Sequence, residues 1–273
     1  MIQVIDSDNY AAAGIETLCF PGGEPHVKIP RFSEPVLLYL KTRTWLDVGF
    51  GALVLDALKR QLPSDRVGLF LPYFPGARQD RSDGFAAKTV EVLARLFGNA
   101  EVAVFDPHSQ ETLNQLHCAQ VFMPADLPIE RHIDGVIAPD AGAVRRASQF
   151  CARFLGHGAP FLTCSKSRDA STGRLSNYQM PRLPTPGRYI VVDDICDGGG
   201  TFNLLAEAWK KDPLSADSSL ELFVSHGIFS RGLDAIDPAY EHITTTDSWC
   251  QLPSNERLTV IPLLPNILKN LGG

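Results

Sequence analysis

Short, uninterrupted apolar runs alternate with helix-patterned segments along most of this chain, and that alternation leaves few folds open. Val36–Leu40, Val67–Phe70, Glu101–Phe105, Gly135–Ala138, Phe161–Cys164, Tyr189–Val192 and Leu222–Ser225 read as strands. Gly51–Arg60, Lys88–Phe97, a segment from about Gln110, Ala143–Phe154 and Thr201–Lys211 carry apolar residues at helical spacing. Strands apolar on both faces and separated by helices belong to parallel sheets covered on both sides. The predicted class is α/β, with right-handed crossovers.

At 273 residues the chain suits one large domain or two medium ones. Val102–Asn114 runs strand, acid, small-residue turn, helix, and Ile190–Leu205 repeats that layout. Two related halves are therefore predicted, joined within Val121–Asp134, where Pro124 and Pro128 punctuate the chain. The segment Lys166–Arg188 is rich in Ser, Thr, Asn, Gly and Pro and reads as a functional lid or mobile loop.

Composition excludes several classes. A chain that is 44% hydrophobic and 21% charged can bury a core, so wholesale disorder is not expected. The net charge of −6 disfavours nonspecific nucleic-acid binding, and positive charge for a phosphorylated ligand must be local or supplied by metal. Six cysteines form no C-x-x-C pair, which argues against a zinc ribbon or dithiol site, and they are too sparse for a disulfide framework. Residues 1–10 lack a basic n-region and an apolar h-region, and no stretch approaches a membrane span. The expected location is cytoplasmic, with no membrane and no nucleic-acid partner.

The most informative stretch is Tyr189-Ile-Val-Val-Asp-Asp-Ile-Cys-Asp-Gly-Gly-Gly-Thr201. A buried strand ends in Asp193 and Asp194; a turn with Asp197, Gly198, Gly199 and Gly200 follows; a helix opens at Thr201. Strand ends on one edge of a parallel sheet form a ligand crevice. Glycines let backbone N–H groups approach a phosphate, and the helix N-terminus adds a favourable dipole. The acids can accept hydrogen bonds from ribose 2′- and 3′-hydroxyls, so one motif can hold both ends of a pentose phosphate. The competing reading is a plain strand–turn–helix with an acidic cap. A dinucleotide fingerprint is excluded because residue 203 is Asn, and the chain contains no Walker A motif.

This stretch resembles the phosphoribosyl diphosphate motif of type I phosphoribosyltransferases and of ribose-phosphate diphosphokinases. Four further segments resemble the diphosphokinases specifically, in that family's order: Pro72-Tyr-Phe-Pro-Gly-Ala-Arg-Gln-Asp-Arg81, Phe105-Asp-Pro-His-Ser109, Ala138-Pro-Asp-Ala-Gly142 and Ser225-His-Gly-Ile-Phe229. The resemblance implies two tandem phosphoribosyltransferase-type, Rossmann-like domains, each a mostly parallel sheet flanked by helices. Residues 1–125 would form the ATP side and 126–273 the ribose-phosphate side, and the last helix could pack back on the first domain. It also implies a Mg²⁺-dependent transferase that moves diphosphate from ATP to the C1 hydroxyl of a ribose-5-phosphate unit, releasing AMP.

Carried over by position, the family's pattern makes His108 and Asp140 the Mg²⁺ ligands. On its own residues His108 reads more simply as a polar residue at a helix start with Ser109 as N-cap. Lys166 and Arg168 match a Lys-x-Arg that closes over the transferring group; two solvated charges are the plainer alternative. Arg78, Gln79, Asp80 and Asp83, with His108, would serve ATP, against the alternative of a charged turn. Phe20 and Glu24 match a Phe-x-x-Gly-Glu loop that reaches a neighbouring subunit's adenine pocket, which implies a homo-oligomer, dimer or hexamer; a core Phe beside a Gly turn is the alternative.

The chain departs from the family's pattern in places. Gly198 stands where the family's phosphate loop usually has Thr, which removes a hydroxyl and adds room. Pro21 and Pro25 flank the Phe20 loop, Ser82-Asp-Gly84 replaces a more basic continuation, and the chain is shorter than typical members. These changes motivate a second reading: the same chemistry on a larger acceptor such as ADP-ribose, feeding NAD or nucleotide synthesis. A third reading, from another class, is a catalytically silent protein associated with a synthase; retention of Lys166, Arg168, His108 and Asp140 speaks against it. A simple phosphoribosyltransferase would release diphosphate in a base-dependent step and need no ATP.

Overall fold

The computed structural model describes residues 2–6, 14–80, 85–98, 100–116, 118–156, 158–168 and 175–271. The chain divides into two compact units, Met1–Phe122 and Met123–Gly273, so the division falls inside the proline-punctuated stretch.

The first unit runs β1 (Ile2–Asp6), β2 (Glu16–Cys19), β3 (Pro25–Lys28), β4 (Val36–Leu40), α1 (Trp45–Gln61), β5 (Val67–Leu71), α2 (Thr89–Phe97), β6 (Glu101–Phe105), α3 (Gln110–Asn114) and β7 (Cys118–Phe122). Strands β4, β5, β6 and β7 are parallel neighbours in that order, and β4, β5 and β6, each nearly all apolar, feed in turn the helices α1, α2 and α3 that lead to the next strand. β1 closes the edge antiparallel to β4, while β2 and β3 form a separate, mostly exposed hairpin. Helix α1 begins at Trp45, well before Gly51. Its start is a capping box: the Thr44 hydroxyl accepts Asp47 N at 3.1 Å, and the Asp47 carboxylate accepts Thr44 N at 2.8 Å. The first two apolar residues, Trp45 and Leu46, face solvent and mask the periodicity.

The second unit runs β8 (Gly135–Ala138), α4 (Val144–Phe154), β9 (Phe161–Thr163), β10 (Ser165–Arg168), β11 (Leu175–Gln179), β12 (Arg188–Cys196), α5 (Gly200–Trp209), β13 (Ser219–Gly227), β14 (Tyr240–Thr246), β15 (Leu258–Ile261) and α6 (Leu263–Leu271). Its six-stranded sheet is wholly parallel, in the order β15-β14-β13-β12-β8-β9. Tyr189, Val191, Leu205, Leu222, Val224, Tyr240 and Ile243 are buried together in one core. The polar segment after β9 is not all loop: β10 and β11 pair as an antiparallel hairpin.

The strand order carries the functional consequence. From β8 the chain moves outward to β9, and from β12 it moves the other way through β13, β14 and β15. The direction of winding reverses between β8 and β12, and such a reversal opens a crevice at the carboxyl ends of the two strands.

Candidate functional site

The crevice between β8 and β12 is lined by acids. Asp140 follows β8; its Oδ1 accepts Gly142 N at 2.8 Å and Ala143 N at 3.2 Å, so the carboxylate caps the turn into α4. Asp193 and Asp194 lie near the end of β12, and Asp194 is 4% exposed. Burial, and then the charge of Asp194, push the Asp193 carboxyl well above the usual carboxylate range. Arg146 opposes that shift: its Nη1 lies 3.6 Å from Asp193 Oδ1 and 3.5 Å from Asp194 Oδ1.

Arg146 was not among the residues singled out from the sequence. It stands on the same face of α4 as Ala143, Ala147 and Phe150, all buried, and a charged residue at core spacing is the signal that marks it. The threonines of β14 were passed over as well. Thr246 Oγ1 donates to Ser225 O at 2.6 Å, and Thr245 Oγ1 accepts Gly227 N at 2.9 Å, tying the ends of β13 and β14 together. His226 joins them through Ser248 Oγ at 2.8 Å.

The turn that follows β12 begins α5. Gly199 is the N-cap, with φ +79°, and the helix starts at Gly200, followed by Thr201. The positive φ favours glycine there, and a Cβ on Gly199 would lie 2.4 Å from Ile236 Cδ1, so a side chain would also have to displace that methyl. Asp197 and Gly198 are half-buried, Gly199 is buried and Gly200 is exposed, so the turn reaches the surface of the crevice at Gly198 and Gly200. Cys196 ends β12 just before the turn, and burial raises its thiol to about 12, so it stays neutral.

Lys166 and Arg168 lie on β10, and Lys166 pairs across the hairpin with Tyr178. The Tyr178 hydroxyl donates to Pro139 O at 2.9 Å, next to Asp140. Burial drives the Tyr178 pKa far up, so the hydroxyl stays a neutral donor. The hairpin backbone at Lys166 is thereby fastened to the end of β8. The second unit thus brings Asp140, Asp193, Asp194, the glycine turn and the Lys166 strand to one edge.

The residues expected to serve ATP lie in the first unit. Arg78, Gln79 and Asp80 form the loop after β5; Arg78 and Gln79 are exposed, and Asp80 is 8% exposed. Gln79 Oε1 accepts the Thr89 hydroxyl at 2.5 Å, tying that loop to the start of α2. His108 is exposed in the loop after β6, and Ser109 caps α3. That loop opens with Asp106, whose side chain is fully buried, whose φ is +38° and whose N–H donates to Phe122 O at 2.8 Å. Since β5 and β6 are parallel neighbours, both loops leave the same edge of the sheet. Asp83 lies outside the described residues. Phe20 and Glu24 sit at the tip of the β2–β3 hairpin, closed by Gly23 N to Phe20 O at 2.8 Å, and Phe20 is 49% exposed rather than in the core.

Among the described residues no group of three or more His, Cys, Asp or Glu side chains converges on a metal position. Asp140 nevertheless suits Mg²⁺, which takes one or two carboxylates and completes its shell with water and substrate phosphates rather than an all-protein cage.

No protein-family profile matches the chain. It is 25% identical over 277 residues to a ribose-phosphate pyrophosphokinase of Sulfurisphaera tokodaii, covering 94% of this chain and 91% of that protein. It is 30% identical over 204 residues to a ribose-phosphate pyrophosphokinase of Sulfolobus acidocaldarius, covering 69% of this chain and 68% of that one. Its fold matches the crystal structure of phosphoribosylpyrophosphate synthetase from Mycobacterium smegmatis with a TM-score of 0.68, at 22% identity, over 96% of this chain and 90% of that chain. Among the described residues, no helix is long and apolar enough to cross a membrane.

Proposed function

The chain belongs to the ribose-phosphate pyrophosphokinase family, and from that premise we propose that it catalyses Mg²⁺-dependent transfer of diphosphate from ATP to the C1 hydroxyl of ribose 5-phosphate. The observation that carries this reading is the pairing, at the reversal point of one parallel sheet, of a carboxylate pair with a left-handed glycine turn that opens a helix. Asp193 and Asp194 accept hydrogen bonds from the ribose 2′- and 3′-hydroxyls. The amides from Asp197 through Gly198, Gly199 and Gly200 to Thr201 hold the 5′-phosphate. The C1 oxygen attacks the β-phosphorus, the bond to the α-phosphate oxygen breaks, and AMP leaves. Such a reaction depends on positioning and charge neutralisation more than on covalent catalysis.

Lys166 and Arg168 neutralise the oxygens of the transferring group as charge develops. Arg78, Gln79, Asp80, Asp83 and His108 bind ATP. Phe20 and Glu24 reach the adenine of a neighbouring copy in a homo-oligomer. His108 of the first unit and Asp140 of the second would serve as Mg²⁺ ligands, and the ion would neutralise phosphate charge. Residues 1–125 serve ATP and 126–273 the ribose phosphate. A cytoplasmic location is the one that fits a protein using ATP and a pentose phosphate.

A second reading keeps the chemistry and enlarges the acceptor to one whose 5′-phosphate is esterified, such as ADP-ribose. It is favoured by Gly198, which puts no side chain of its own on the phosphate turn. Measuring AMP formation from ATP and Mg²⁺ with each acceptor tests both. Turnover with ribose 5-phosphate equal to or better than with ADP-ribose rejects the larger acceptor. No AMP with either rejects the reaction and revives a silent, synthase-associated role.

A further inference from the structure

Strand β13 leaves its sheet at Gly227, and the chain then folds back across the end of β12. Ile228 N and Phe229 N both donate to Cys196 O, at 2.9 and 3.0 Å. Phe229 has φ +48°, unusual for a bulky residue, while its side chain is 5% exposed and Gly232 N closes onto Phe229 O at 2.8 Å. The far side of the loop is fastened too. Asn203 Nδ2 donates to Ala235 O at 2.8 Å, and its Oδ1 accepts Asp237 N at 3.0 Å, stitching the loop to the first turn of α5.

Between these anchors lies Arg231. A Cβ built on Gly198 would stand 3.4 Å from Arg231 Nε, 3.5 Å from Cδ and 3.8 Å from Cζ. The guanidinium therefore lies across the face of residue 198 that a side chain would otherwise occupy. Arg231 is itself exposed, and among the described residues no carboxylate pairs with it.

We propose that Arg231 binds the phosphoryl group carried at the 5′ position of the acceptor ribose, and so determines acceptor specificity at the glycine turn. The proposal rests on the reaction above and deepens it. The turn offers amides and a helix dipole, which suit an anion but carry no full charge. A phosphate monoester is close to a dianion near neutral pH, and a planar guanidinium supplies both charge and paired donors. The same position serves a monoester or an esterified phosphate, since residue 198 takes no space between the turn and the arginine. Ser225-His-Gly-Ile-Phe229 gains a structural purpose from this: its strained exit aims the arginine.

The test is steady-state AMP formation by the full-length protein, with calorimetric binding of ribose 5-phosphate as a second readout. Arg231→Ala is expected to raise KM for ribose 5-phosphate about 10- to 100-fold, the range for a charged hydrogen-bonding contact. KM for ATP stays within about twofold. Arg231→Lys recovers part of the loss, and Gly198→Thr, which presses on the guanidinium, reproduces much of it. With unphosphorylated ribose as acceptor, kcat/KM of Arg231→Ala equals that of the wild type, which a merely structural role would not produce. A greater loss with ADP-ribose than with ribose 5-phosphate assigns the arginine to the outer phosphate of an esterified group; an equal loss assigns it to the phosphate they share. An active wild type whose Arg231→Ala variant keeps its KM and its ribose 5-phosphate affinity overturns the proposal alone. A wild type that makes no AMP with any acceptor overturns the reaction beneath it.

Discussion

Arg146 Nη1 lies 3.5 Å from Asp194 Oδ1, and side-chain exposure is 5% for the arginine and 6% for the acid. The same nitrogen reaches Asp193, so one buried guanidinium serves two adjacent carboxylates that would otherwise repel each other. Removing it leaves buried charge uncompensated. Arg146→Met is expected to lower the unfolding free energy by about 3 kcal/mol near pH 8. Urea denaturation measures this. Adding Asp194→Asn should return part of the loss, and strict additivity of the two substitutions would contradict the coupling.

A second buried charge cluster sets an acid limit. Glu221 is 2% exposed, accepts Arg131 Nη2 at 2.8 Å, and pairs in register with His242 on β14. Burial, and then the Arg131 charge, lower the His242 pKa below its ordinary value. The folded state therefore favours the neutral ring. The stability this contributes is present above about pH 6.5 and is lost as pH falls through the lower folded value. Unfolding free energy measured between about pH 7.5 and about pH 5 should fall in the wild type and fall less in His242→Gln. Equal slopes would exclude His242 as the source.

Gly199 answers two demands at once, a φ of +79° and the approach of Ile236 Cδ1. Gly199→Ala should cost about 2 kcal/mol or more through strain and overlap. Ile236→Val in that background should restore the packing part and leave the backbone part. Thermal unfolding of the three variants separates the two. Full rescue by the valine would mean that backbone conformation contributes nothing.

Lys166→Ala should bind ATP almost as the wild type does, while kcat falls about 100- to 1000-fold, the pattern of a contact made in the transition state. Rapid-quench assays beside nucleotide binding distinguish the two. Near-wild-type turnover removes Lys166 from the mechanism.

What could be read from the residues followed their physics. β6 and β8 were legible to the residue because a parallel strand covered on both faces is a continuous apolar run. β14 was not, since Thr244, Thr245 and Thr246 look like loop until the hydroxyls of Thr245 and Thr246 are seen bonded to the neighbouring strand. The β10–β11 hairpin was missed because its pairing satisfies the backbone with few core-type residues. At the candidate site, Asp193, Asp194 and the glycine turn declared themselves by spacing along one strand and turn. Arg146 and Arg231 did not, because each reaches the site from another element, across the fold.

The left-handed turn at Asp106 limits which variants this position can accept. With φ +38°, a fully enclosed side chain and Pro107 next in the chain, it excludes β-branched and large residues on backbone grounds alone. A library randomised at codon 106 and sorted only for soluble, folded protein should return aspartate, asparagine and glycine. Recovery of valine or isoleucine at comparable frequency would show that the backbone there relaxes. The position would then be open to drift, and the shape of the His108 loop would be free to change with it.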